Sequence, residues 1–256
     1  RGEIMLLPGA RSVYDLNREK EKALASRRAA FWRDTPVDEA LAAVRQVSGI
    51  RPRAELPELA CEKTGAIDRE QYRIDKLILR PEPGIWLPAL AFVPKSAATS
   101  ACLYLHEDGK QAVAEPGGEA ERLVLQGKVV LAVDLRGIGE TRPGGKHSYG
   151  SYLPPEWRDA TIAYLLGRSL LAMRAEDVVQ CAQLAARYNN EATGRPVELV
   201  SVGRVGPAAL HAAVLEPGLF AAMTFQKCVV SWSNVVDTPL SKNQYANLIH
   251  GVLKTY

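Results

Sequence analysis

The chain has 256 residues, of which 47% are hydrophobic and 24% charged, and its formal net charge is +3. That length suits one substantial domain with a buried core better than two equal ones, and the balanced charge, with no Lys/Arg-rich block, gives no footprint for a nucleic-acid partner. No apolar run is long enough to cross a bilayer, and no basic-then-apolar leader opens the chain. Its start, RGEIMLLPG, reads like the interior of a longer precursor, which leaves a periplasmic or secreted location open. Cys61, Cys102, Cys181 and Cys228 are scattered, with no C-x-x-C pair and no histidine at metal-ligand spacing, so buried thiols are expected and no metal or cofactor is called for.

From Asp15 to about Arg33 the chain is charged and helix-prone, and DEALAAVRQV (38–47) continues with apolar residues at helical spacing. Residues 1–70 are therefore expected to form an N-terminal helical extension, and residues 71–256 the main domain. QYRIDKLILR (71–80) alternates like a strand, with IWLPALAFVP (85–94) as its hairpin partner. Pro88 and Pro94 suggest an edge position for that partner.

After residue 100 the pattern changes to buried strands alternating with helices. ACLYLH (101–106), VVLAVDL (129–135), VELVSV (197–202) and AAMTFQ (221–226) read as strands. EAERLVLQG (119–127), SLLAMRAEDVVQCAQLAAR (169–187) and the Ala-rich stretch from Pro207 to Leu215 read as helices. The fold class is α/β, with a mainly parallel sheet covered by helices on both faces and the working site at the carboxyl ends of the strands.

Three segments fall at those ends: LYLHEDGK (103–110), VDLRGIGETRP (133–143) and SVGRVGP (201–207). In this order and spacing they resemble the α/β-hydrolase fold, and most nearly its acetyl xylan esterase and cephalosporin deacetylase-like branch, which is related to the prolyl oligopeptidase-like serine hydrolases. The resemblance runs from about Gln71 to the C-terminus, and DLRGIGET (134–141) is its most specific piece. It implies that VELVSV enters a nucleophile elbow, that a backbone N–H near Glu107 or Asp108 is one oxyanion donor, and that the N–H of Arg204 is the other.

Under that resemblance the nucleophile position is Gly203, which has no side chain to attack with. Moving the apex to Ser201 places the bulky Leu199 where the elbow needs a small residue. The resemblance also puts the acid after the seventh strand and the histidine after the eighth, whereas this sequence ends soon after what counts as the sixth. The final strands are expected to be missing or supplied by another chain or domain; Asp237 and His250 are the weak remaining candidates for acid and base.

Other residues have two readings each. His106 lines a pocket or makes a local loop hydrogen bond. Arg204 reaches across the pocket, where with the helix N-terminus it could hold an anion such as a carboxylate, or it pairs with a surface acid. Asp134 and Arg136 read as ties between loops and His211 as structural, whereas Glu176 and Asp177 read as a solvated helix face or as ion-pair partners of Arg174 or Arg168. GGKHSYGSYLPPEW (144–157) reads as an insertion over the site, with Tyr149, Tyr152 and Trp157 suited to stack on a sugar ring or to pack the insertion, and His147 exposed.

The expectation is an acetyl xylan esterase-like domain without serine-hydrolase activity, binding a carbohydrate or acyl-ester ligand as an accessory part of a larger hydrolytic protein. The alternative is an active carbohydrate or small-ester acetyl esterase with a displaced or externally completed site.

Overall fold

The computed structural model describes residues 7–144, 156–189, 194–238 and 244–256. Two helices lead the chain. α1 (Val13–Asp34) starts in a capping box, in which Ser12 Oγ accepts from the Asp15 N–H (3.2 Å) and the Asp15 carboxylate accepts from the Ser12 N–H (2.8 Å). α2 (Val37–Ser48) stops at Gly49, whose φ of 73° is the left-handed cap glycine tolerates.

The seven strands are β1 (Ala60–Asp68), β2 (Tyr72–Arg80), β3 (Leu87–Pro94), β4 (Ser100–His106), β5 (Lys128–Val133), β6 (Val197–Val202) and β7 (Ala222–Gln226). They form one sheet in the order β1-β2-β3-β5-β4-β6-β7, in which β5, β4, β6 and β7 are parallel and the first three strands are antiparallel additions on one side. Between the parallel strands run α3 (Gln111–Ala114), α4 (Glu119–Leu125), α5 (Trp157–Leu165), α6 (Leu170–Arg187) and α7 (Gly206–Leu215); α8 (Trp232–Asp237) follows β7.

Alternation along the parallel strands sends side chains to two cores. Leu103, Leu105, Leu131, Val133 and Leu199 face α2, α6 and α7, while Cys102, Tyr104, Val130 and Ala132 face α4. Helices therefore cover both faces.

Two features differ from the sequence reading. The extension over residues 1–70 ends in a strand, since β1 pairs with β2 along its length. Its residues ACEKTGAID are nearly all exposed and carry too little apolar alternation to announce a strand. The second correction concerns β3, which is internal. Its bridge to β5 covers Ala89–Phe92, between Pro88 and Pro94, so neither proline has to donate to that ladder. The two edges are β1 and β7, both largely exposed, and β7 pairs with β6 alone among the described strands.

Glu176 and Asp177 are also buried, not on a solvated face. The Arg136 guanidinium grips Asp177 through two hydrogen bonds of 2.7 and 2.8 Å. Glu176 is held by Arg168 and by Arg51, whose backbone N–H reaches it at 2.9 Å. Glu82, in the turn between β2 and β3, joins Arg51, Arg136 and Arg168. This belt ties the chain after α2, the β2–β3 turn and the loop after β5 onto α6.

Candidate functional site

β6 passes through a 3-10 turn, Gly203–Val205, straight into α7. The strand-to-helix turn has almost no room, and its two glycines show why. Gly203 has φ 77°, a conformation that costs other residues about 1–2 kcal/mol. A Cβ at Gly203 would stand 2.5 Å from each carboxylate oxygen of Glu107, and one at Gly206 would run into the side chain of Cys228, 2.6 Å from its Cβ. The space an elbow side chain would occupy is thus filled by the Glu107 carboxylate.

Glu107 arrives there because β4 ends beside β6, with His106 opposite Val202 in the register. Its backbone N–H donates to Val202 O (3.1 Å), extending the ladder by one residue, and the N–H of Asp108 donates to His106 Nδ1 (3.1 Å). Each of the two backbone N–H groups offered as alternatives for the first oxyanion donor is therefore already engaged, and what Glu107 contributes is its side chain. The Arg204 N–H donates to Glu107 Oε2 at 3.2 Å. A carboxylate does occupy the donor position after the apex, and it belongs to the chain itself.

The Arg204 side chain is largely buried. Its Nη2 donates to Glu107 O (3.2 Å), and its Nη1 lies 2.9 Å from Glu156 Oε1, so its acid is buried and not on the surface. Behind Glu156 lies Arg174, fully enclosed, with Nε donating to Arg136 O (2.8 Å). Burial lowers its guanidinium pKa to about 10, against the pull of Glu156. Both Nη groups of Arg174 and the Nε of Arg204 are buried without a hydrogen-bond partner among the described residues. Two acceptors of the same wall, Glu156 Oε1 and Asn247 Oδ1, are likewise buried without one, so the wall behind the elbow holds unsatisfied groups of both kinds.

Among the described residues, the serine and the cysteine next to the turn are both held away from its apex. Ser201 is fully buried in β6, its Oγ without a hydrogen-bond partner among the described residues. Cys228, after β7, packs under the elbow with Sγ 3.2 Å from Gln226 O, and burial pushes its thiol above the ordinary range. Cys102 is pushed up to about 12 for the same reason and Cys181 well up; only Cys61 is exposed, and all four are free.

The remaining candidates lie in separate contacts. The Asp237 carboxylate faces Arg18 on α1 (3.3 Å). The exposed ring of His250 stacks at 3.8 Å on Tyr164. His211 is structural, with Nδ1 2.6 Å from Pro207 O and Nε2 2.8 Å from the Tyr256 hydroxyl. Trp157 opens α5, half-buried, next to the Glu156 that meets Arg204; Tyr149, Tyr152 and His147 lie outside the described residues. Among the described residues no three His, Cys, Asp or Glu side chains gather as a metal site would need, and no described helix is long and apolar enough to cross a membrane.

The loop after β5 is held by a second carboxylate. Asp134 accepts from the Lys110 N–H (2.6 Å), from Lys110 Nζ (2.7 Å) and from the Glu140 N–H (2.9 Å), and Lys110 Nζ also binds Glu140. Asp134 therefore ties two loops together, as Arg136 does. Glu156, in a Pro-rich segment, was not singled out by the sequence, and Arg174 was read only as a helix ion-pair partner of Glu176 or Asp177, whereas its Nε goes to Arg136 O. An arginine on the otherwise small and apolar start of α6 was the one available signal.

The strand order, the two-sided helical cover and the β6–α7 elbow define an α/β-hydrolase-like fold. Solved structures are similar to the chain, two of them over more than four fifths of it with a TM-score above 0.5. One is a Bacteroides fragilis protein assigned as an acetyl xylan esterase, with TM-score 0.62 and 18% identity over 85% of this chain and 61% of that one. The other is acetyl xylan esterase 1 of a Thermoanaerobacterium species, with TM-score 0.55 and 18% identity over 82% and 64%. The chain thus spans less than two thirds of either, and at this identity the likeness is one of fold. Neither a protein-family model nor a curated protein sequence matches the chain.

Proposed function

We propose that this chain is an esterase-fold module with no serine-hydrolase activity of its own, serving as a binding or accessory part of a larger hydrolytic protein whose ligands are carbohydrates or acyl esters. The observation that carries the reading is the elbow itself. Acyl transfer needs an oxygen or sulfur nucleophile at the apex, a base beside it and a vacant pair of donors for the oxyanion. Here the apex is Gly203, a carboxylate takes the place of its side chain, and the Arg204 N–H already has an acceptor.

The substrate-side part of the proposal comes from the fold neighbours, both acetyl xylan esterases by name, and fold alone is a weak guide to function. The partner part is that another chain or domain extends the sheet beyond β7, whose outer side pairs with no other described strand.

The test is a fluorophosphonate probe read by intact mass, beside an acetyl-ester turnover assay. Neither adduct nor turnover is expected. Stoichiometric labelling of one serine, with turnover lost when it is replaced, would overturn the proposal in favour of an active acetyl esterase.

A further inference from the structure

We propose that the elbow is an anion site holding its own ligand: the Glu107 carboxylate is a built-in plug, and a small free carboxylate such as acetate, the acid half of an acetyl ester, takes its place when the plug is removed. This rests on the non-catalytic reading for its biological sense.

Three observations carry it. First, the occupant is already a carboxylate, within reach of the Arg204 N–H at the head of the elbow (3.2 Å) and closely packed on a glycine that leaves room for it. Second, that hydrogen bond is long and is the one donor the described residues give this carboxylate, while Glu107 is only half-buried, so its side chain can swing to water without stranding a charge. Third, the neighbouring wall holds idle donors. Arg204 Nε and both Nη groups of the fully enclosed Arg174 have no hydrogen-bond partner among the described residues, and Glu156, 2.9 Å from Arg204 Nη1 and with its own Oε1 also outside any hydrogen bond, is the acid that influences both guanidiniums. Two buried guanidiniums against that one carboxylate leave a surplus of positive charge, which favours an anion over a neutral guest.

A plug of this kind lowers the apparent affinity for an outside carboxylate by the fraction of time the site stands open. Seated for at least nine-tenths of the time, Glu107 would weaken acetate binding about tenfold or more relative to a chain without it.

The experiment is a titration of sodium acetate into 15N-labelled wild type, Glu107→Ala and Glu107→Gln, followed through the Arg204 amide resonance, with acetamide as the neutral probe of the same shape. Acetate is expected to shift that resonance at about tenfold lower concentration in Glu107→Ala than in the wild type, and acetamide to leave it in place. Glu107→Gln, which keeps the shape without the charge, serves if the alanine variant does not fold; it is expected to fall between the two. Equal titrations for wild type and variants, or an equal response to acetamide, would overturn the proposal. Failure here leaves the non-catalytic reading standing, whereas fluorophosphonate labelling sinks that reading without touching this titration.

Discussion

Two carboxylates stand over glycines at the ends of neighbouring strands, and they are held in opposite ways. Asp134, after β5, fills the space above Gly109 and Gly139, where an added Cβ would overlap its carboxylate, and takes three hydrogen bonds from Lys110 and Glu140. Glu107, after β4, fills the space above Gly203 with one long hydrogen bond. The same device therefore serves two ends. Saturated with buried donors, the carboxylate is a fastener; left with one donor and a path to water, it is a removable occupant.

The sharpest way to break that comparison is to delete each carboxylate. Asp134→Ala leaves Lys110, whose side chain is 4% exposed, with only the exposed Glu140 as acid partner, and is expected to cost about 3–5 kcal/mol, the range for stripping one partner from a buried pair. Glu107→Ala is expected to cost less than about 1.5 kcal/mol, one ordinary hydrogen bond. Urea unfolding of both variants decides it; similar midpoints would erase the distinction.

The glycines sharpen it further. Gly139→Ala (φ 57°) and Gly203→Ala (φ 77°) both carry a left-handed strain of about 1–2 kcal/mol. Only Gly139→Ala must also dislodge a fastened carboxylate, so it is expected to be clearly the more destabilising. In a Glu107→Ala background, Gly203→Ala should fall to the strain alone, which a double-mutant cycle measures.

The smallest expected effect lies in the middle of α7. Burial lowers the pKa of His211, against its hydrogen bond to Pro207 O, so between that lowered value and the ordinary 6.5 the unfolded chain binds more protons than the folded one. Stability should thus be complete above about pH 6.5 and fall on acidification through that window. Thermal melts across that range, with His211→Gln showing a flatter profile, check the sign; a wild type that gains stability there would reverse it.

The parallel strands were legible because each carries a run of apolar residues between glycine-bearing turns, and the elbow because a buried strand runs into SVGRVGP and then alanines. β1 was not, since it is exposed and polar, and its strand character comes from pairing with β2. The internal place of β3 was hidden because its prolines happen to bracket the β5 ladder. Gly203 could be placed from local spacing, but the Glu107 side chain above it could not: backbone position predicts where an N–H lies, whereas a side chain's direction depends on what the neighbouring strand leaves empty. The pairing of Glu176 with Arg168 was one of the two readings, but the burial of Glu176 and Asp177 was not legible, because helical spacing says nothing of Arg51 and Arg136, which arrive from elsewhere in the chain.

The Arg51–Glu176 link joins residues 125 apart. Such a closure is slow to form, since the long intervening loop has to be ordered before the contact repays it. During synthesis α1 and α2 emerge well before α6 exists to receive them. The leading segment is therefore expected to dock late and to be among the first to come loose under denaturant, with Glu176 then depending on Arg168 alone.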